Sequence, residues 1–210
     1  MAAPLPFGPG DTSGPAGHAP AAVSPWVARF APLAASGEVL AEVPGEVLDL
    51  ACGSGRHARH FAALGHPVLA LDRDAAALAQ AAGEGVVTMA HELEDPALAW
   101  PFAPGRFAAI VVTNYLHRPL MGRLAASLAP DGLLIYETFA VGNEVFGKPS
   151  NPDFLLRPGE LLEFALAHGL QVLAFEDGVT ASPKAAMVQR LCAAGPAFAR
   201  SRARLDGGGK

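Results

Sequence analysis

Apolar residues along this chain fall into short unbroken runs, and between the runs they recur every three or four positions instead. The runs at 46–51 (EVLDLA), 67–72 (PVLALD), 85–90 (GVVTMA), 106–113 (RFAAIVVT) and 132–139 (GLLIYETF) are short and near-continuous. They read as strands buried on both faces. Between them, 56–64 (RHARHFAAL), 74–82 (DAAALAQAA), 120–128 (LMGRLAASL) and 158–168 (PGELLEFALAH) read as helices. Another helix is predicted from Ser24, because Ser at the N-cap followed by Pro at the first helical position suits a helix start. The last two strands, 170–177 and 185–193, are joined only by a turn segment, GVTASPK, and should pair as a hairpin with one strand antiparallel. Strands alternating with helices imply an α/β fold with a doubly wound, mostly parallel sheet.

At 210 residues the chain suits one domain, expected over residues 24–194. Residues 1–22 hold five prolines and four glycines and read as a disordered leader, with a flexible tail expected at 200–210. No apolar run approaches the roughly 18 residues that span a bilayer, so a membrane role is not expected. The formal charge of −5 argues against nucleic acid as a partner. Two widely spaced cysteines, Cys52 and Cys192, fit a reducing, cytoplasmic setting rather than a disulfide framework.

The candidate chemistry begins at VLDLACGSGRH, residues 47–57. Gly53 and Gly55 permit a tight strand-to-helix turn and close approach of a ligand. Gly53-x-Gly55-x-x-Ala58 formally fits a dinucleotide fingerprint, yet Asp49 stands just before the turn. A carboxylate there repels a pyrophosphate and attracts a cationic amino group, which favours a ligand bearing an ammonium and a sulfonium. Its bland alternative is a core acid bonded to nearby backbone amides. Asp72, at the end of the second strand, is placed to accept hydrogen bonds from ribose hydroxyls.

These residues resemble the class I S-adenosylmethionine-dependent methyltransferases, and most nearly the small bacterial tellurite-resistance-type and general methyltransferase-domain proteins. The resemblance spans roughly residues 24–194, and its specific part is VLDLACGSG followed by VLALDRD. It implies a Rossmann-like, seven-stranded sheet ending in an antiparallel hairpin, S-adenosylmethionine as cofactor and S-adenosylhomocysteine as product. It also implies a cofactor set of Asp49, Ala51, Gly53, Gly55, Asp72 and Arg73, with Glu92 and Leu93 at the adenine. Ala51 stands where many members have a third glycine, and Glu94 or Asp95 are alternatives to Glu92.

Thr113 and Asn114, after the fourth strand, should border the methionine end, with Tyr115, His117 and Arg118 facing the acceptor. His117 is the candidate general base and Arg118 an anion clamp. TNYL lacks the paired prolines of the superfamily's adenine- and glutamine-methylating enzymes, which disfavours that chemistry. Glu137, Lys148 and Arg157 are the chemical groups of a long connection expected to form a lid, and Trp26 and Arg29 are candidates to close over the cofactor. The two histidines at 57 and 60 lack further ligands, so no metal is expected. A small-molecule acceptor is the leading expectation; an NAD(P)-dependent oxidoreductase and a non-catalytic S-adenosylmethionine-binding module are the competitors.

Overall fold

Val47–Leu50 (β1) is buried at all four positions, and in this computed structural model it sits in the middle of the sheet. The structure describes residues 22–34 and 45–203; of the expected leader at 1–22 all but residue 22, and of the expected tail at 200–210 the part from 204 onward, lie outside the described residues. The other strands are β2 (Val68–Asp72), β3 (Val86–Ala90), β4 (Phe107–Thr113), β5 (Leu128–Phe139), β6 (Gln171–Thr180) and β7 (Ala186–Ala194). They form one seven-stranded sheet in the order β3-β2-β1-β4-β5-β7-β6. Only β7 runs antiparallel, between β5 and β6. The Rossmann-like sheet with a terminal hairpin is therefore as expected, although β5 and β6 are longer than their apolar runs.

Alternate side chains of each strand supply opposite faces, and the core divides accordingly. Val47, Val111 and Ile135 pack with helices α1 (Pro25–Phe30), α2 (Arg56–Ala63) and α3 (Ala75–Ala81). Leu48, Ile110 and Leu134 pack on the other face with α4 (Met121–Ser127) and α5 (Glu160–Ala167). Helix α1 is too short to be stable alone. It is held by the burial of Trp26, Val27 and Phe30, each contributing about 1.5–3 kcal/mol. Its start is as expected: Ser24 accepts hydrogen bonds from the amides of Trp26 and Val27.

Trp26 is packed into the core and lines neither cavity at the strand tips. It is 3 % exposed, its indole N–H donates to the Leu191 carbonyl, and the Arg29 guanidinium lies over the Trp26 and Phe30 rings. At the far end, Arg200–Arg202 form a 3-10 turn, and Arg202 donates to the Leu33 carbonyl. Both Cys52 and Cys192 are buried free thiols. No helix among the described residues is long and apolar enough to cross a membrane.

Candidate functional site

The tips of β1 and β4 lie side by side where the sheet order reverses, with β2 and β3 to one side and β5, β7 and β6 to the other. Ligands of doubly wound sheets settle at this switch point. Two cavities lie at this end of the sheet. One, of about 340 Å3, is lined by Ala51, Asp72, Arg73, Glu92, Leu93 and Tyr115, with Phe154 across from them. The other, of about 490 Å3, lies between the start of α1 and the tips of β4, β5 and β7, where Asn114, Glu137 and Arg190 contribute to its wall. The connection between β5 and α5 serves both, giving Phe146 and Lys148 to the larger cavity and Phe154 to the smaller.

Asp49 points to the α2 face of β1, is 1 % exposed, and accepts a 2.8 Å hydrogen bond from the Ala58 amide in the first turn of α2. Burial raises its carboxyl to about 7, against the lowering effect of that amide and the Arg56 charge. The carboxyl oxygen of a buried acid thus caps a free amide in the first turn of the helix. Asp72 accepts at Oδ2 from the Gly53 amide, 2.8 Å, and at Oδ1 from the Asp74 amide, 3.0 Å. It shapes the glycine turn, and its carboxylate retains lone pairs facing the smaller cavity.

The two glycines differ in kind. Gly55 has φ +75°, and a β-carbon there would stand 2.5 Å from the Ala81 β-carbon, so the turn needs glycine for α2 to approach α3. Gly53 has φ +53° with nothing within 4 Å of such an atom. Ala51 and Asn114, just beyond the tips of β1 and β4, are the two non-glycine residues with positive φ among those described, at +52° and +55°. Asn tolerates this region; Ala bears a cost of roughly 1–2 kcal/mol. Backbone strain is thus concentrated at the switch point.

The acceptor-side expectations are redistributed. Tyr115 lines the smaller cavity, where its hydroxyl is buried beside the Glu94 carboxylate without a well-formed hydrogen bond among the described residues; burial and that carboxylate push the phenol up. His117 lines neither cavity and instead precedes the 3-10 turn Arg118–Leu120. Arg118 is committed elsewhere, donating to both Glu160 oxygens at 2.6 and 2.9 Å and to the carbonyls of Asp153 and Leu155. Arg157 pairs with Glu160 and Glu163, also away from both cavities. Charge complementarity with α5 claims these two arginines before any ligand can.

Glu137 does reach the larger cavity, and there it accepts from the Ser24 hydroxyl, 3.0 Å, and from Arg190 Nε. Arg190 also reaches Glu176 at 3.1 Å. Thr113 is buried beside His57, with 3.4 Å between Oγ1 and Nδ1. The Ser24 amide donates to His57 Nε2 at 3.2 Å, so that nitrogen is the acceptor and the proton sits on Nδ1. Desolvation lowers this histidine to about 3 and keeps it neutral. Ser24, Arg56, His57, Lys184 and Arg190 were not expected at the site. Arg190 carries the same signal as Asp49, a charge inside an apolar strand run; the others come together only through the tertiary fold.

A family model described as a methyltransferase domain matches residues 16–168. No curated protein matches the chain. Among solved structures it is similar to an S-adenosylmethionine-dependent methyltransferase of Methanosarcina mazei, with TM-score 0.60 and 14 % identity over 83 % of this chain and 99 % of that one. It is also similar to TehB of Haemophilus influenzae, at TM-score 0.58 and 16 % identity over 71 % of this chain and 57 % of the other. A third similar structure is geranyl diphosphate C-methyltransferase of Streptomyces coelicolor, complexed with Mg2+, geranyl diphosphate and S-adenosyl-L-homocysteine, at TM-score 0.54 and 15 % identity over 71 % and 70 %. At these identities the likeness is one of fold, and it is the family model, covering most of the chain including the glycine turn, that shows the chain to belong to the methyltransferase-domain family.

Proposed function

We propose that this protein is an S-adenosylmethionine-dependent methyltransferase acting on a small molecule, with the cofactor nucleoside in the 340 Å3 cavity and the acceptor in the 490 Å3 cavity. The observation that carries the reading is the pair of cavities flanking the strained tips of β1 and β4. The smaller cavity fits a nucleoside: it presents the Asp72 carboxylate, the buried Tyr115 hydroxyl beside Glu94, and the open side of Gly53 nearby. Asp72 would accept from the ribose hydroxyls, and Glu92 with Leu93 would meet the adenine. Asp49 supplies negative charge beneath the glycine turn, toward which an amino group is drawn. Thr113 and Asn114, between the cavities, would border the methionine end.

S-adenosylmethionine, when bound, supplies a methyl group on a sulfonium that leaves as a thioether without activation. The protein's task is then to hold the acceptor atom in line and exclude water, which supplies much of the rate enhancement. Ser24, at the start of α1, and the β5–α5 connection with Phe146 and Lys148 enclose the acceptor side. A dinucleotide reading is disfavoured because the α2 amide that would face a pyrophosphate already bonds Asp49. The larger cavity speaks against a module that binds cofactor alone. Buried free thiols at Cys52 and Cys192 fit a cytoplasmic setting.

The test is transfer of a labelled methyl group from S-adenosylmethionine to a small-molecule extract, with RNA and protein fractions in parallel. Label in the small-molecule fraction is expected. Label confined to RNA or protein contradicts the acceptor class.

A further inference from the structure

We infer that the larger cavity takes a carboxylate acceptor with an apolar body, ionised before it binds, and that the carboxylate oxygen receives the methyl group as an ester. This rests on the methyltransferase reading above. The chain has only three lysines, and the two within the described residues, Lys148 and Lys184, both line this one cavity. They arrive from different elements, Lys148 from the β5–α5 connection and Lys184 from the β6–β7 turn. A β-carbon at Gly147 would stand 3.5 Å from Lys184 Nζ, so the second ammonium is held against the residue preceding the first. Arg56 joins them on the lining, and its one hydrogen bond among the described residues is to the Ala22 carbonyl. None of these three cations forms a salt bridge among the described residues; Arg29, Arg59 and Arg123 form none either, but they line neither this cavity nor the smaller one, whereas Lys148, Lys184 and Arg56 share one wall. In a chain of net charge −5, a surplus of unpaired cations around one cavity marks a place for an anion. Phe139, Phe146 and Val188 supply apolar wall for the rest of the molecule.

The second observation is that, among the described residues, each candidate proton acceptor near the cavity already has a protein partner or lies outside it. Both nitrogens of His57 are engaged, by the Ser24 amide and toward Thr113. The Glu137 oxygens are taken by Ser24 and Arg190. His117 is outside. A phenol, thiol or ammonium would have to lose a proton before attack, but a carboxylate, with a pKa near 4, has none to lose at neutral pH. One carboxylate lone pair forms the oxygen–methyl bond, the sulfur–methyl bond breaks, and its electron pair stays on sulfur, turning sulfonium into neutral thioether. No proton moves. The ester product is uncharged, so the cations that drew the acid in release the product.

Calorimetric titration of the protein saturated with S-adenosylhomocysteine tests the site with 4-phenylbutyrate, its amide, and phenyl phosphate. The carboxylate should bind at least tenfold more tightly than the amide and than the phosphate. The Lys148→Met/Lys184→Met double variant should lose at least fivefold of that affinity while its S-adenosylhomocysteine affinity stays within twofold. In the methyl-transfer assay the label should be released as methanol by mild alkali. Equal binding of acid and amide, no binding of the acid, preference for the phosphate, an unaffected double variant, or label that resists alkali each overturns the inference. Failure to bind S-adenosylhomocysteine at the outset would instead count against the methyltransferase reading itself.

Discussion

Asp49 brings a carboxylate onto the β1 face that packs against α2, and the Ala58 amide is its partner there. Its position in the apolar run was legible as an anomaly, but the partner was not, because an amide nine residues on becomes a neighbour only once α2 folds back. Burial lifts the folded pKa to about 7, above the ordinary 3.8. The uncharged form is thus favoured by folding, so the contribution of Asp49 to stability is complete below about pH 4 and is lost as pH rises through 7. The ligand-free Asp49→Asn variant should therefore gain stability relative to wild type between pH 5 and 8, read as denaturation midpoints. A difference that does not change with pH contradicts this. An ammonium brought near Asp49 stabilises its charged form, so wild-type affinity for S-adenosylhomocysteine should rise over the same interval with release of a proton. The Asn variant should be flat and weaker by about 1–3 kcal/mol, the scale of a charge-assisted hydrogen bond. The two glycines looked equivalent in the sequence. Gly55→Ala should cost roughly 1–3 kcal/mol from overpacking against Ala81, on top of the positive-φ strain it shares with Gly53→Ala. Equal losses in urea denaturation would contradict that division.

Strands and helices were legible because burial on two faces imposes continuous apolar runs, and the Ser24-Pro25 start of α1 because capping is local chemistry. Long cationic side chains were not. His117, Arg118 and Arg157 follow strand tips or close loops in sequence, yet a guanidinium travels several ångströms to whichever carboxylate the fold supplies, here Glu160 on α5. Burial resists ionisation of Glu160, but Arg118 and the Arg157 amide hold it below the usual carboxylate range. This contribution is present above about pH 4.5 and lost on acidification, opposite in sign to that of Asp49. Arg118→Ala leaves a nearly buried Glu160 short of its main partner and strips two loop carbonyls of their donor. It should destabilise the protein by about 1–3 kcal/mol and expose residues 140–159 to proteolysis, with S-adenosylhomocysteine affinity retained. Loss of methyl transfer with stability and the connection intact would return Arg118 to the acceptor site.

The molecule as a whole joins a sheet whose order reverses between β1 and β4 with a single connection that walls both cavities. Sheet class and the terminal hairpin could be read from the alternation of elements. The division into two cavities could not, since Phe146, Lys148 and Phe154 lie in one irregular segment whose path depends on long-range pairing such as the Ala140–Leu156 bridge. A sulfonium nucleoside and a dinucleotide would both enter at the switch point and both would use Asp72 for a ribose, so Asp49 beneath the glycine turn is what tells them apart. Titration calorimetry of the full chain with S-adenosylhomocysteine and, separately, with NAD is the most direct test. The account predicts one saturable site for S-adenosylhomocysteine, weakened at least tenfold by Asp72→Ala, and no heat from NAD; saturable NAD binding with no response to S-adenosylhomocysteine would contradict it.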